Sequence, residues 1–456
     1  MKVSAIFDIG KTNKKFFLFD KNYNQVYEEY CRFEEVEDDD GFPCDDLPRI
    51  EEWIKDTFHH TLQDQKYEIK SLNFSTYGAS LVHIDEHYRP VTPLYNYLKP
   101  LPDKILNTFY KEYGDELTIA SETASPSLGM LNAGLQLYWL KHAKPEVFRK
   151  IRWSLYFPQY LSLLFSGTPN NEYTGLGCHT ALWNFKEQDY HRWVYAEGID
   201  KMFPPIRNTG EPTSKNYGGH IVKIGLGIHD SSSALLPYIK ADKNSFLLIS
   251  TGTWSISLNP FNHEPLTRED LQNDCLNFLS IDGKPVRASR LFLGAEYRFQ
   301  VKQLHKHFRK EYGYHRELVF DTKTHSRLTE NYLHFFRFEQ VRRNFKQPDS
   351  TNLSGFPTFE IAHHQLMLEL MELQVQSIKD AIGGSKIISI YVDGGFADNR
   401  IFVKLVSLTF PQYKLRTTRS PLGSALGAIM AMSNPQLNKK FLKKKYVMKK
   451  HPTSSI

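Results

Sequence analysis

The chain is poor in cysteine. Cys31, Cys44, Cys178 and Cys275 stand far apart and form no CxxC pair. That spacing argues against a zinc ribbon and against a disulfide framework, and it fits a reducing, cytoplasmic setting. No run approaches the ~20 apolar residues of a membrane span. The N-terminus passes into a strand carrying Asp8 too soon for a signal peptide, so no membrane partner is expected. Several common motifs are also missing. There is no GxxxxGK[ST] loop, no GxGxxG fingerprint, no HExxH, no GxSxG elbow and no D-x-D-x-D-G calcium spacing. Acid is absent from residues 433–456, which hold seven lysines, so the net charge of +6 belongs to that segment and the remainder sums to −1. The segment reads as a solvated, frayed terminus rather than a nucleic-acid contact. The acidic run 34–46 likewise reads as a solvated loop.

At 456 residues, 41% apolar and 24% charged, the chain suits two domains of roughly 200 residues each. Residues 1–20 read as a hairpin turning at Gly10–Lys14. Ile50–Gln63 has helical spacing. Ser71–Phe74 and Leu81–Ile84 are strands interrupted at Tyr77-Gly78-Ala79-Ser80. Leu128–Ala143 reads as an amphipathic helix. Ser154–Phe165 reads as a helix broken at Pro158. Tyr217–Leu226 is glycine-rich and reads as a hinge. The second half repeats this alternation, with a hairpin around Gly252, helices over 291–307 and 361–382, a strand over 387–392 and a small-residue helix over 421–432. A duplicated α/β unit is expected.

Three strands end in glycine-containing turns: AIFDIGKTNKK, FLLISTGTWS and IISIYVDGGFADN. Small residues there let backbone N–H groups approach an anion with no Cβ in the way. Two such turns suit the phosphates of a nucleotide, and the third suits its base. In the first, Gly10 makes the turn, Thr12 and Asn13 offer polar donors, and Lys15, rather than its neighbour Lys14, is expected to face the site. Asp8 closes an apolar strand, an unusual place for a carboxylate, and could hold Mg²⁺ through water. The second turn offers Gly252 and Thr253, the third Gly394, Gly395 and Asn399. In GIHDSSSALL, Asp230 follows His229. An aspartate there can accept the proton of an attacking hydroxyl, and it can also cap the helix that follows.

The ordered set DIGKTNKK, GIHD, STGTWS, DGGFADN and PLGSALGA resembles the FGGY carbohydrate kinases of the actin, hexokinase and sugar-kinase superfamily, over nearly the full length. The His-Asp pair and the spacing of Asp8, Gly10, Thr12 and Lys15 resemble the rhamnulokinase and fuculokinase branch. The resemblance implies an α/β fold of two ribonuclease-H-like, actin/hexokinase-type ATPase domains with a cleft between them. Residues 1–225 would form the sugar side, 226–435 the nucleotide side and 436–456 a basic tail. It implies ATP and Mg²⁺, with Asp230 as the base and Asp8 on the metal. Gly423 joins Gly394 and Gly395 at adenosine. Gly78, Ala79, Ser80, Tyr97, Gln159 and His229 fall on the sugar side. Tyr77, Ser80 and Gln159 depart from the family's usual residues, which leaves the sugar open: a ketose or 6-deoxyketose of the L-rhamnulose or L-fuculose type, or a xylulose or other polyol. A non-catalytic sugar sensor or an ATPase relative are the alternatives. The expected partner is a small-molecule sugar, with a homodimer allowed.

Overall fold

Contacts in the computed structural model divide the chain into two units, Met1–Lys240 with Asn277–Pro285 and Leu422–Gln436, and Ala241–Leu276 with Val286–Pro421 and Leu437–Ile456. The structure describes residues 1–330, 332–341, 345–419, 422–433 and 435–452. The division falls at 240/241 and is crossed four more times by the chain, whereas a single cut at 225/226 was expected. The reason is local. The glycine-rich stretch near 217–226 is no hinge but part of a hairpin in the first unit's sheet.

In the first unit, β1 (Lys2–Ile9), β2 (Lys14–Asp20) and β3 (Gln25–Cys31) form an antiparallel meander. β4 (Glu68–Thr76) lies parallel to β1 on its other side. Beyond it come the hairpin strands β6 (His220–Ile224) and β5 (Thr213–Tyr217), and the short β7 (Ile228–His229) also pairs with β4. Alternation of buried apolar side chains sets this register. Phe7, Phe16 and Phe74 stack on one face, over which α1 (Leu47–Gln63) lays Ile50, Ile54 and Phe58. A second apolar cluster gathers Tyr138, Trp193 and Phe109.

In the second unit, β8 (Phe246–Thr251), β9 (Ser255–Asn259) and β10 (Pro285–Leu291) make the same antiparallel meander, and β11 (Ser389–Gly394) and β12 (Lys414–Thr418) follow in parallel beside β8. The two units therefore share one strand order, and the expected duplication is present as topology. Helix α5 (Phe359–Ile382) crosses this sheet and carries a polar seam. Gln374 accepts from the Ser255 hydroxyl and donates to Ser257, and Ser377 meets Ser257 and Ser289. Such buried polar groups are tolerated because each is paired.

Four other expectations change. The helix expected over 128–143 starts only at Gly134, after a tight turn at Gly129–Leu131, and residues 134–140 are buried on all sides rather than amphipathic. The expected broken helix at 154–165 is a strand, Trp153–Tyr156, followed by α2 (Phe157–Ser166), with Pro158 in the first turn, where its missing N–H costs nothing. The lysine-rich segment is not frayed over its described residues. Helix α8 (Lys439–Lys445) buries Leu442, Lys439 pairs with Asp242 at 2.8 Å, and β13 (Lys449–Lys450) adds to the edge of β12. The acidic run is largely exposed, but it forms a short two-stranded ribbon rather than a loop and buries two of its carboxylates. Asp38 is buried against Lys99 at 2.6 Å, and Asp45 holds both Lys11 and Lys14 at 2.7 Å.

Glu369 on α5 is buried and accepts from the Phe335 and Phe336 amides and from Gln365. Burial pushes its carboxyl up to about 7 against those donors, from an ordinary value of 4.5. Between these two values the folded chain binds the proton more tightly than the unfolded chain. Its contribution is therefore most favourable below about pH 4.5 and is lost as pH rises through 7. Glu369→Gln should flatten that loss by roughly 2 kcal/mol, read as the difference in melting temperature between the two proteins from pH 5 to 8. Parallel melting curves would contradict it.

Candidate active site

Three adjacent strand ends assemble the first unit's site. Across β1 and β2, Asp8 lies opposite Lys15. Across β1 and β4, it lies opposite Ser75. Ser75 and Thr76 in turn pair with Ile228 and His229 on β7, and the chain leaves β7 directly into α3 (Asp230–Ala241) with Asp230 as its first residue. Strand alternation separates the two lysines as expected. Lys14 is buried and spent on Asp45, while Lys15 turns to the other side and lowers the Asp8 carboxyl. Burial first, then repulsion from the neighbouring Asp230, push Asp8 up to about 6; Lys15 and the hydroxyls of Ser424 and Ser75 oppose them. Two carboxylates in each other's field, short of counter-charge, suit a divalent cation. Mg²⁺ fits, because it takes few carboxylates and keeps its waters. The cluster Asp38, Asp39 and Asp40 is different: Lys99 and Lys144 already neutralise it.

His229 is buried, with Nε2 3.2 Å from Asp230 Oδ1 and 3.4 Å from Cys178 Sγ. Burial opposes its charge, but Cys178 and Asp230 hold the imidazole well above its ordinary range. Gly78 sits against this group. A Cβ there would lie 2.5 Å from Cys178 Sγ and 2.9 Å from His229 Cδ2, so the close approach requires glycine. Ala79 takes a left-handed φ of 58° and Ser80 is buried with its hydroxyl unpartnered. Tyr97 packs on Tyr77 at 5.9 Å and feels the Asp230 charge, after burial and Lys11.

Gln159 is placed differently from expectation. It is fully buried, and its amide donates to the carbonyls of Leu226 and Gly227 and to Glu172, so it braces the approach to β7. At the first turn, the Gly10 amide bonds the Asn13 carbonyl at 2.9 Å, the Asn13 side chain accepts from Arg32, and Thr12 is exposed. Gly423 opens α7 (Gly423–Ser433), which belongs to the first unit, not to the one holding Gly394 and Gly395. Helix α7 packs on β1 and β4. Ser233 of α3 donates to the Ser424 carbonyl, and Asn73 to the Ala428 carbonyl. Its small residues thus serve the packing behind Asp8 and Asp230.

The second unit carries a cavity of about 400 Å³ lined by Gly252, Gly395, Asn399, Tyr297, Arg298 and His315, among others. Nothing lies within 4 Å of a Cβ built on Gly252 or Gly395, so bare backbone faces open space. Thr253 accepts from Arg298 at 3.2 Å. Asn399 caps α6 (Arg400–Thr409) through the Ile401 and Phe402 amides, which uses its carbonyl and leaves its amide facing Tyr297. Gly394 has φ of +85°, and a Cβ there would lie 1.9 Å from the Thr251 carbonyl oxygen, so β8 and β11 close on each other only with glycine. The exposed glycines, the aromatic wall and the arginines fit a nucleotide. Tyr297, Arg298 and His315, on and after α4 (Leu293–Phe308), escaped the sequence reading because nothing in their spacing marks them. Cys178 did so as well, as an isolated residue.

Known proteins share this two-unit arrangement. The model for the FGGY family of carbohydrate kinases, N-terminal domain, matches residues 3–231, and that for the FGGY carbohydrate kinase C-terminal domain matches 243–440. The chain belongs to the FGGY family of carbohydrate kinases. Among curated relatives, the rhamnulokinase of Halalkalibacterium halodurans is 26% identical over 265 residues, 56% of each chain, and that of Oceanobacillus iheyensis is 25% identical over 270 residues, 57% of this chain and 56% of the relative. The chain thus spans about half the length of the curated relatives it matches. Among solved structures, a carbohydrate kinase from Novosphingobium aromaticivorans superposes with a TM-score of 0.78 at 20% identity, covering 99% of this chain and 97% of the other. A xylulose kinase from Rhodospirillum rubrum gives 0.76 at 14%, covering 99% and 94%. These show the two-domain FGGY fold of actin/hexokinase type. Among the described residues, no helix is long and apolar enough to cross a membrane.

The contact at Gly394 can be tested apart from any activity. Gly394→Ala should lower the unfolding free energy by about 2 kcal/mol or more, whereas Gly395→Ala should leave it unchanged. Equal denaturation midpoints for both variants would contradict the Gly394 contact.

Proposed function

We propose that this FGGY family member transfers the γ-phosphoryl group of ATP to a hydroxyl of a sugar, the primary hydroxyl of a ketose or 6-deoxyketose of the L-rhamnulose or L-fuculose type. The observation that carries the reading is the Asp8–Asp230 pair, Asp8 near the end of β1 and Asp230 just after β7 on the two sides of β4, with His229 against Asp230. Asp230 accepts the proton of the attacking hydroxyl as the new P–O bond forms. Asp8, through water, would hold Mg²⁺, which neutralises phosphate charge when bound. In the first unit, Lys15 and the backbone at Gly10 stabilise charge on phosphate; in the second, the backbone at Gly252 and Thr253 does the same. Tyr297, Gly394, Gly395 and Asn399 hold the nucleoside end. The bend Gly78–Ser80, with Tyr97 and His229, meets the sugar.

The sugar type rests on the His-Asp pair and on the rhamnulokinase relatives, which match over half their length. The assay is ADP formation with Mg-ATP across ketoses, deoxyketoses and polyols, with L-rhamnulose and L-fuculose expected to lead. Asp230→Asn keeps the side chain's size and removes the base, and should lower sugar-dependent kcat by about 10²- to 10⁴-fold with ATP binding unchanged. ATP turnover that is independent of sugar and indifferent to Asp230→Asn would point to an ATPase instead.

A further inference from the structure

The imidazole of His229 is held by more than its neighbour in sequence. Its Nε2 lies 3.2 Å from Asp230 Oδ1 and 3.4 Å from Cys178 Sγ, so carboxylate and sulfur meet the same ring nitrogen. On the other edge, Nδ1 lies 3.4 Å from Ser232 Oγ. The His229 amide donates to Thr174 Oγ1 at 3.0 Å, and that hydroxyl donates to the buried Glu172. Cys178 is 3% exposed and follows the short helix Tyr173–Leu176 that Glu172 caps. Gly78 leaves room for sulfur and ring alike, since a Cβ would collide with both. Of the other charged groups, Glu172 shares the field of His229, Asp8 of β1 interacts with Asp230, and Lys15 of β2 interacts with Asp8.

We propose that Cys178 is a positioning residue for the base: its sulfur, 3.4 Å from His229 Nε2, fixes the tilt of the imidazole against Asp230. The proposal rests on the phosphoryl-transfer reading of Asp230. Without the sulfur, the ring has one partner fewer and is freer to turn from the carboxylate.

The test uses the full chain and the variants Cys178→Ala and Cys178→Ser, with circular dichroism and melting to establish that each is folded. Imidazole ¹⁵N NMR follows His229, its signal assigned with His229→Gln, while ADP formation gives kcat and KM against pH. Cys178→Ala should lower kcat about tenfold with KM for ATP unchanged. It should also move the His229 ring ¹⁵N signals, as the imidazole turns from the carboxylate. Cys178→Ser, which keeps a polar partner for the ring, should stay within threefold of the parent with those signals near native. The proposal is overturned if Cys178→Ala leaves the His229 ring signals in place, even with a lower kcat, or if serine is as damaging as alanine. If the parent protein forms no ADP with any sugar, the kinase reading fails, while the His229 ring signals still decide whether the sulfur holds the ring.

Discussion

Asp8 and Asp230 repel each other, and the first unit is arranged to keep them together nonetheless. Their strands are joined through β4, which pairs with β1 on one edge and with β7 on the other. The energy to hold two partly desolvated carboxylates in one field comes from the apolar core beneath them, where Phe7, Phe74 and Ile228 are wholly buried. Helix α7 closes the packing behind the pair and supplies the Ser424 hydroxyl.

The second unit uses the same strand order for a different end. Where β1 carries Asp8 one residue before its end, β8 finishes in Thr251, whose hydroxyl donates to the Asp393 carbonyl and accepts from the Phe396 amide. It thereby ties the first meander strand to the double glycine. One topology thus yields a carboxylate pair in one copy and bare backbone in the other. The difference lies in a few residues at the carboxyl ends of parallel strands, a recurrent place for ligands in α/β sheets.

Legibility in the sequence followed the range of the interaction. Turns and strand ends were readable because glycine, a β-branched run and a misplaced carboxylate act over a few residues. Lys15 could be preferred to Lys14 from alternation alone. The expectations that failed depended on distant partners. The acidic run looked solvated until Lys99, Lys11 and Lys14 were brought to it. The lysine-rich end looked frayed because its anchors, Asp242 and strand β12, lie far away along the chain. Gln159 looked like a ligand contact until the carbonyls of Leu226 and Gly227 arrived against it.

By itself, the sequence determined the order of the glycine turns at strand ends, the place of Asp8 and Asp230 beside them and the duplicated α/β character, since each is written in contiguous residues whose conformation local sterics dictate. Only the tertiary structure decided that α7 belongs behind Asp8 in the first unit, that Cys178 meets the His229 ring and that Tyr297, Arg298 and His315 wall one cavity. Those relations join residues tens to hundreds of positions apart, and nothing short of burial and strand pairing brings such groups within hydrogen-bonding distance.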